Sequence, residues 1–330
     1  MKPIVAFLTG GYSGESVISY KSAITIENSL DYDKYKVYKI DIRPDGWFHE
    51  TKDGKTVTVD RNDFTLGLGG EKIRFDVILM GIHGTPGEDG KLQGYFDMLK
   101  LPYTSCDAAT SALTFNKRFT VAVAAFNGIH VARSVLLIKD RFESADEVTA
   151  HLQFPVFVKP NNGGSSIGTS RVNSASEELG VAIEKAFAED SQVLVEEFIT
   201  GREFTIGVFR SGGEIITLPI TEIKSKKEFF DFEAKYMPGM SEEITPAVVG
   251  EDIAVKMRMA AKKIYQAFNC WGIVRIDFIY NEERGQPFML EINTVPGQSE
   301  ASVVPQQVLA MGWTLKDFYS ALIDDALARV

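Results

Sequence analysis

The chain has few of the residues that mark secreted, metal-clustered or membrane proteins. Its 330 residues include only two cysteines and four histidines, and Cys106 and Cys270 lack the spacing of a metal or redox motif. A reducing compartment is therefore the default. No stretch approaches the roughly 20 apolar residues of a membrane span, and the apolar run that ends at Leu8 is too short for a signal peptide. These absences predict a soluble, cytoplasmic protein without a membrane partner.

An excess of basic residues is also missing. Lysine and arginine number 35 against 45 aspartates and glutamates, which gives a formal net charge of -10 and argues against a nucleic-acid partner. The Walker sequence Gly-Lys-Ser/Thr is absent as well, so no P-loop is predicted. With 45% hydrophobic residues the chain can bury large cores, and its length suggests two or three domains.

Two Gly-rich loops follow short apolar strands in the first third of the chain. Residues 4–8 predict a buried strand that opens into a Gly-rich turn ending at Glu15, a near miss to the dinucleotide fingerprint. Residues 75–81 predict a second strand, whose loop carries His83. Open α/β sheets bind ligands at the carboxyl ends of their strands. The alternatives are a tight turn with Glu15 serving the helix dipole, and a loop histidine bonded to backbone.

The middle of the chain offers a third Gly-rich loop and charged strand ends. Lys159 ends an apolar strand and is followed by the Gly/Ser loop of residues 163–168. Backbone donors in such a loop bind phosphate oxygens, and a lysine adds a point charge. Glu196, at the end of a later strand, has the chemistry to accept from adenine or ribose. The alternatives are a surface loop beside a snorkelling lysine, and solvated charges on an edge strand.

A hairpin near the end of the chain gathers polar side chains on one face. Two apolar runs, residues 273–280 and 288–292, flank a polar turn. Because side chains alternate along a strand, one face should carry a basic, an amide and two acidic residues. These residues are Arg275, Asp277, Glu291 and Asn293.

The pairing register decides what this face does. If Tyr280 pairs with Phe288, Asp277 lies opposite Glu291 and Arg275 lies opposite Asn293. Two directly opposed carboxylates repel unless a cation separates them. Oxygen ligands without His or Cys suit Mg²⁺ or Mn²⁺. The alternative is a salt-bridged hairpin in which the arginine neutralises the acids. The metal site is favoured because an acid and an amide at the exposed end of an apolar strand do not contribute to core packing.

Residues 222–246 combine charged and aromatic side chains without a period, which predicts a long loop. Loops of that length inside a compact protein are usually functional lids or disordered segments. The aromatic residues argue against disorder. We therefore predict a lid that carries Lys235 and Tyr236 over a nucleotide.

Taken in order, these motifs resemble one known family along nearly the whole chain. The matching stretches are GGYSGE, HGTPGEDGKLQG, LPYTS, SALTFNK, PVFVKP, GGSSIG, VEEFITGREFTIGV, DFEAKYMPG, ITPA, RIDF and LEINTVPG. They are similar to the motifs of the D-alanine:D-alanine ligases, which are ATP-grasp enzymes. The resemblance implies three α/β domains: an N-terminal open parallel sheet (1–105), a central ATP-grasp domain (106–199), and a C-terminal ATP-grasp domain with the lid and the hairpin (200–330). It places ATP between the last two.

The resemblance also implies roles for individual residues. The implied ATP contacts are Lys117, Lys159, Ser166, Glu196, Phe198, Ile199, Glu203 and Lys235. The implied catalytic set is Glu15, Ser165, Tyr236, Arg275 and Gly297. The residues that would bind substrate are His83 and Ser302. Two Mg²⁺, or Mn²⁺, would be held by Asp277, Glu291 and Asn293.

The implied reaction joins two D-alanines with ATP, through a D-alanyl phosphate, for peptidoglycan precursor synthesis. Relatives are typically homodimers. The chain departs from the family pattern at Asn116, where Asp is usual, at Gly163, where Glu is usual, and over residues 298–302, beside the second substrate. The last departure leaves D-serine or D-lactate open as acceptor, although Tyr236 disfavours a depsipeptide. A silent nucleotide-binding module is the other alternative, against which the complete polar set of the hairpin argues.

Overall fold

The computed structural model describes residues 2–142, 144–145, 148, 150–163, 167–175, 177–225 and 241–329. The described helices are α1 (Ser16–Ser29), α2 (Lys91–Leu99), α3 (Ala108–Phe115), α4 (Lys117–Phe126), α5 (Glu177–Glu189), α6 (Glu251–Ala267), α7 (Val303–Ala310) and α8 (Leu315–Leu327). Of these described helices, none combines the length and the apolar character needed to cross a membrane.

The first sheet is built on the apolar strands that the sequence predicts. Its strands are β1 (Ile4–Gly10), β2 (Lys36–Arg43), β3 (Gly46–Glu50), β4 (Thr56–Asp60), β5 (Thr65–Leu68), β6 (Glu71–Ile73) and β7 (Val77–Met80). They lie in the order β6-β5-β4-β3-β2-β1-β7. The expected parallel sheet holds for β2, β1 and β7, and the others pair antiparallel. The sheet is mixed because the short connections from β2 to β6 cannot make parallel crossovers.

Helices cover both faces of the first sheet. On one face α1 and the final helix α8 share a buried cluster with β1, which includes Phe7, Phe318 and Leu322. On the other face α2 buries Leu92 and Phe96, which lie four residues apart on one side of the helix. The last helix of the chain therefore packs against its first sheet.

The second sheet lies in the middle of the chain. Its strands are β8 (Ser134–Ile138), β9 (Val156–Pro160), β10 (Ser170–Val172) and β11 (Gln192–Glu197). They lie in the order β10-β9-β11-β8, and every neighbouring pair is antiparallel. Leu179, Ile183 and Ala186 of α5 are buried in the core of this sheet, at the spacing of one helix face. Lys159 and Glu196 thereby come to lie on neighbouring strands.

The third sheet carries the hairpin. Its strands are β12 (Arg202–Ser211), β13 (Glu214–Thr217), β14 (Thr221–Ser225), β15 (Ser241–Ile244), β16 (Val274–Asn281) and β17 (Gln286–Asn293). The order is β15-β14-β12-β16-β17, and β13 also pairs with β12. The expected loop over residues 222–246 is wrong at both ends, because β14 and β15 pair with each other there. Residues 226–240 lie outside the described part of the chain.

The hairpin of β16 and β17 has the predicted facing pairs. Asp277 lies opposite Glu291, and Arg275 lies opposite Asn293. Strand alternation puts these four side chains on one face. The opposite face belongs to a buried core that includes residues of α6. The polar set is thus presented away from that core.

The predicted register at the hairpin turn is wrong by one residue. Tyr280 pairs with Pro287, whereas the sequence suggested Phe288. The register then shifts between residues 277 and 278, which leaves Leu290 as an extra residue on β17. This β-bulge restores the predicted pairing beyond it. Bulges occur often beside active sites, where they re-aim side chains.

Candidate active site

A cavity of about 390 Å³ lies between the loops of the first sheet, the start of α4 and the third sheet. The predicted site residues in its wall are Glu15, His83, Lys117, Glu203, Arg275, Asp277, Glu291, Asn293, Gly297 and Ser302. Among the described residues, the predicted ones that lie on or next to the second sheet and outside this wall are Lys159, Glu196, Phe198 and Ile199. The predicted residues that lie outside the described part of the chain are Ser165, Ser166, Lys235 and Tyr236.

Arg275 and Asp277 form the centre of the site. Nε and Nη2 of Arg275 donate to the two Asp277 oxygens at 2.9 and 2.7 Å. Thr205 Oγ1 also donates to Asp277, at 2.5 Å, and Glu291 Oε1 lies 3.9 Å from Arg275 Nη2. Burial lowers the pKa of Arg275, but the attraction of Asp277, Glu291 and Glu243 outweighs this and raises it above its ordinary value. The guanidinium is therefore a fixed cation, in the salt-bridged arrangement that the sequence left open.

The oxygen donors around Asn293 fit a magnesium ion. Asn293 Nδ2 lies 3.3 Å from Asp277 Oδ2 and 3.4 Å from Glu291 Oε1, so the positive end of the amide stands between two carboxylates. Within the described residues, no three His, Cys, Asp or Glu side chains group as metal ligands. Two carboxylates and an amide suit an ion that takes few protein oxygens and completes its shell with water and phosphate oxygens.

Glu88 joins two loops of the site, although the sequence motifs gave it no role. Its Oε2 accepts from the Gly84 N–H at 2.7 Å, and its Oε1 accepts from the Val295 N–H at 3.3 Å. Desolvation, and then the charge of Glu15, raise the pKa of Glu88 to about 8. The available signal was an acid in a polar loop at the end of a strand. Glu88 holds the His83 loop against the turn that follows β17.

The two bonds of Glu88 predict a stability effect. In Glu88→Gln, an NH₂ group replaces one acceptor oxygen and meets a backbone N–H. Because the raised pKa makes ionisation of this buried carboxyl costly at pH 7, the two proteins are compared at about pH 4.5, where the carboxyl is neutral in the fold; there we expect the free energy of unfolding to fall by about 1–3 kcal/mol. Urea denaturation measures this change. Glu214→Gln, at an exposed position of β13, is the control, and an equally small change in both variants would contradict the prediction.

His83 is fixed on both sides of its ring. The side chain is 6% exposed. Its Nε2 lies 3.0 Å from Ser22 Oγ, and the ring also bonds the Val295 backbone. Ser22 Oγ in turn accepts from the Gln298 N–H at 3.1 Å. His83 therefore connects α1 with the loop after β17, at the edge of the cavity.

The buried imidazole predicts a sensitivity to acid. Burial is the main cause that lowers the pKa of His83 from 6.5 to about 4. The charge of Arg275 lowers the pKa further, whereas a hydrogen bond with the Val295 backbone raises it. Between pH 6.5 and 4 the unfolded chain binds a proton that the folded chain does not. As the pH is lowered from 6.5 to 4, the free energy of unfolding therefore decreases, by about 3 kcal/mol in total from this group.

Urea unfolding at several pH values measures this decline. His83→Gln should lose less stability than the wild type across the window. His151→Gln, at an exposed position, should decline as the wild type does. If His83→Gln also follows the wild type, burial does not set the acid sensitivity.

Lys117, to which the family resemblance assigns a phosphate contact, lies beside Gly163 at the start of the Gly/Ser loop. It is the first residue of α4, and its Nζ donates to the Gly163 carbonyl at 2.6 Å. Asn116 caps this helix, since its Oδ1 accepts from the Phe119 N–H at 3.0 Å. Asn is as good an N-cap as Asp. The departure at residue 116 therefore keeps the helix start that presents Lys117.

The second sheet holds the remaining nucleotide candidates. Lys159 and Glu196 form an ion pair, with side chains 14% and 8% exposed. The Phe198 N–H donates to the Pro155 carbonyl at 3.0 Å. A base at this position would therefore be read by the Phe198 carbonyl and the Ile199 backbone, and not by the Phe198 N–H. Of the Phe198 backbone, only the carbonyl is therefore expected to contact the base.

The N-terminal end of α7 forms the opposite wall of the cavity. Ser302 directly precedes α7, and its Oγ lies 2.7 Å from Ser299 Oγ. A Cβ at Gly297 would lie 2.9 Å from Ser302 Oγ, so glycine lets the two residues approach. Helix N-termini attract anions. This wall suits a substrate carboxylate.

Gln298, the first residue of the unusual stretch, is held by polar contacts. It is 5% exposed. Its Oε1 accepts from the Tyr319 hydroxyl at 3.0 Å, and its Nε2 donates to the Pro296 carbonyl at 3.3 Å. Gln298 therefore ties this loop to α8 through the Tyr319 hydroxyl.

Two family models together match most of the chain. The model described as D-ala D-ala ligase N-terminus matches residues 4–106, and the model described as D-ala D-ala ligase C-terminus matches residues 115–324. A D-alanine–D-alanine ligase of Flavobacterium johnsoniae is 43% identical over 324 residues, which cover 98% of this chain and 99% of that protein.

Two solved structures show the same architecture. VanG D-Ala:D-Ser ligase from Enterococcus faecalis superposes with a TM-score of 0.88 at 30% identity, over 98% of this chain and 99% of that one. A D-alanine–D-alanine ligase from Bacillus anthracis, complexed with ATP, gives 0.79 at 26% identity, over 100% and 98%. With both family models matched in order, the chain belongs to the D-alanine–D-alanine ligase family and has its ATP-grasp fold.

Proposed function

We propose that this chain joins two D-alanines into D-alanyl-D-alanine, with conversion of ATP to ADP and phosphate, for peptidoglycan precursor synthesis. The supporting observation is the cavity itself. It holds the Arg275 and Asp277 pair of the third sheet together with Glu15, which directly precedes α1, and Ser302, which directly precedes α7. An anchor for an ammonium group, a fixed cation and an anion site are what the joining of two amino acids requires.

The nucleotide lies between the second and third sheets in this proposal. Lys117 and Lys159 contact its phosphates, with Ser166 and Lys235 from outside the described residues. Glu196, Phe198 and Ile199 read the adenine. Glu203 of β12, in the cavity wall, binds the ribose. The central and C-terminal domains (106–199 and 200–330) thus enclose ATP, and the N-terminal domain (1–105) contributes to the amino-acid site.

The metal ligands are Asp277, Glu291 and Asn293, which hold two Mg²⁺, or Mn²⁺. When bound, the ions neutralise phosphate oxygens and orient the transferred group. The chain itself contributes oxygen ligands from two paired strands, which fixes their separation. Thr205 and Arg275 orient the Asp277 carboxylate by hydrogen bonds.

Glu15 binds the ammonium of the first D-alanine, through a chain that includes Ser165 and Tyr236. A carboxylate oxygen of this D-alanine bonds to the γ-phosphorus of ATP as the bond to ADP breaks. The product is an acyl phosphate, which water would hydrolyse. The segment that carries Lys235 and Tyr236 has the task of excluding water.

The second D-alanine binds through its carboxylate at Ser302, and His83 shapes the subsite. Its deprotonated amine attacks the acyl carbon, and phosphate leaves. Arg275 and the Gly297 N–H stabilise the oxyanion that forms on the way. We place this reaction in the cytoplasm and in a homodimer.

Phosphate release tests the proposal. ATP and Mg²⁺ are supplied with D-alanine, with L-alanine, or with D-alanine plus D-serine or D-lactate, and products are identified by mass. Release that requires D-alanine and yields its dipeptide supports the proposal. ATP binding without release under any of these conditions contradicts it and favours a silent nucleotide-binding module.

D-serine is the second candidate acceptor. VanG from Enterococcus faecalis, a D-Ala:D-Ser ligase, superposes closely on this chain. The stretch Gln298 to Ser302 in the acceptor wall also departs from the usual pattern. A mixed dipeptide formed in preference to D-alanyl-D-alanine at equal acceptor concentrations would favour this candidate.

A further inference from the structure

Glu243 is a cavity carboxylate to which the proposed reaction gives no task. The described carboxylates in the cavity wall are Glu15, Glu88, Glu203, Glu243, Asp277 and Glu291. The proposed function uses all of them except two, and Glu88 already accepts from two backbone N–H groups. Glu243 therefore calls for a ligand of its own.

Contacts place Glu243 beside the acceptor wall. It lies on β15, opposite Ile223 of β14. Gln306 Nε2 is 3.4 Å from Glu243 Oε2 and 2.9 Å from the Ala301 carbonyl oxygen, so one amide bridges the carboxylate and the loop before α7. Ala301 and its neighbour Ser302 line the cavity.

Glu243 also interacts with the central cation of the site. Desolvation raises the pKa of the Glu243 carboxyl, whereas Arg275 and the bond from Gln306 lower it. The same attraction contributes to the raised pKa of Arg275. Glu243 is therefore near Arg275 on one side and the loop that carries Ala301 on the other.

The geometry of an α-amino acid determines which group of the acceptor lies near Glu243. The ammonium and the carboxylate of an α-amino acid are attached to one carbon. If Ser302 holds the carboxylate, and the amine must reach the acyl carbon whose oxygen faces Arg275, the amine lies between these two residues. Glu243 lines the same cavity as Arg275 and Ser302.

We propose that Glu243 binds the ammonium group of the acceptor, and that it selects α-amino acids over 2-hydroxy acids at the second subsite. The inference rests on the proposed function, whose acceptor class it specifies. An ammonium forms a charge-assisted hydrogen bond with a carboxylate, whereas the hydroxyl of a 2-hydroxy acid forms a weaker, neutral-donor bond. Because the amine attacks only after losing its proton, the effect falls on acceptor binding.

Glu243→Gln tests the inference, with Glu242→Gln as its matched control. Glu242 is the preceding residue on β15, points to the other face and lies opposite Lys224. In Glu243→Gln the KM of the acceptor D-alanine should rise about tenfold or more, as for loss of a charged hydrogen bond, while the KM of the first D-alanine stays unchanged. With D-alanine and D-lactate in competition, the product ratio should shift toward the depsipeptide by a similar factor.

The outcomes separate this inference from the proposed function. If the wild type forms no dipeptide, the proposed function fails. If the wild type forms it and Glu243→Gln keeps both the acceptor KM and the product ratio, only the role of Glu243 is overturned. Glu243→Asp keeps the charge and should lie between the two, and thermal melting of each variant shows that it is folded. Equal shifts in Glu242→Gln would also overturn the inference.

Discussion

Arg275→Met should lower kcat for dipeptide formation by a factor of about 10³, because it removes the fixed cation beside the forming oxyanion. The loss also leaves Asp277 without its two short hydrogen bonds, at 2.9 and 2.7 Å. Initial rates of phosphate release and of dipeptide formation, at saturating D-alanine and ATP, measure the effect.

A matched ion pair in the same sheet supplies the control. Arg202 Nε and Nη2 donate to the Glu222 carboxylate at 2.8 and 2.9 Å, and Arg202 is not among the described residues of the cavity wall. Arg202→Met should lower the melting temperature to a similar extent and leave kcat within a few-fold of the wild type. If Arg275→Met retains about a tenth of the wild-type kcat or more, the Arg275 guanidinium does not stabilise the oxyanion in the way proposed.

Glu291→Ala should abolish measurable turnover and leave the fold intact. Its side chain is 36% exposed, so its removal creates little cavity, whereas loss of the more buried Asp277 would also unpair Arg275. Glu291 is therefore the cleaner test of the proposed metal site. Turnover similar to that of the wild type would overturn the assignment.

A measurement without turnover complements this test. In the wild type, Mg²⁺ should increase the rise in melting temperature that ADP produces, because bound ligands stabilise the folded state. Glu291→Ala should lose this dependence on Mg²⁺. Glu283→Ala, at an exposed position in the turn of the same hairpin, should keep both the dependence and the turnover. A wild-type response to Mg²⁺ in Glu291→Ala would contradict metal binding through this carboxylate.

The sequence predicted the central hairpin because strand alternation is a local property. Arg275 and Asp277 are two residues apart, as are Glu291 and Asn293, so each pair shares a face whatever the rest of the fold does. The bulge at Leu290 was missed, although three consecutive apolar residues, Phe288 to Leu290, break the alternation of a regular strand.

Contacts between distant segments were beyond local patterns. Nothing near Lys159 indicates that Glu196 is its partner, because the pairing of β9 and β11 brings them together. Glu243 was hidden for a related reason: β15 has only four residues and is stabilised by β14. That Glu15 and Arg275 serve one site was implied only by the family resemblance, because their meeting in one cavity depends on how separate sheets pack.

The extra residue in β17 has a consequence for how this hairpin can change over evolutionary time. Loss of Leu290 would remove the bulge and leave Glu291 still opposite Asp277, because the pairing on the turn side is already offset by one. Deletion of Ile292 would instead turn Asn293, a proposed metal ligand, toward the core. Alignment gaps among functional relatives should therefore fall at position 290, and not at position 292.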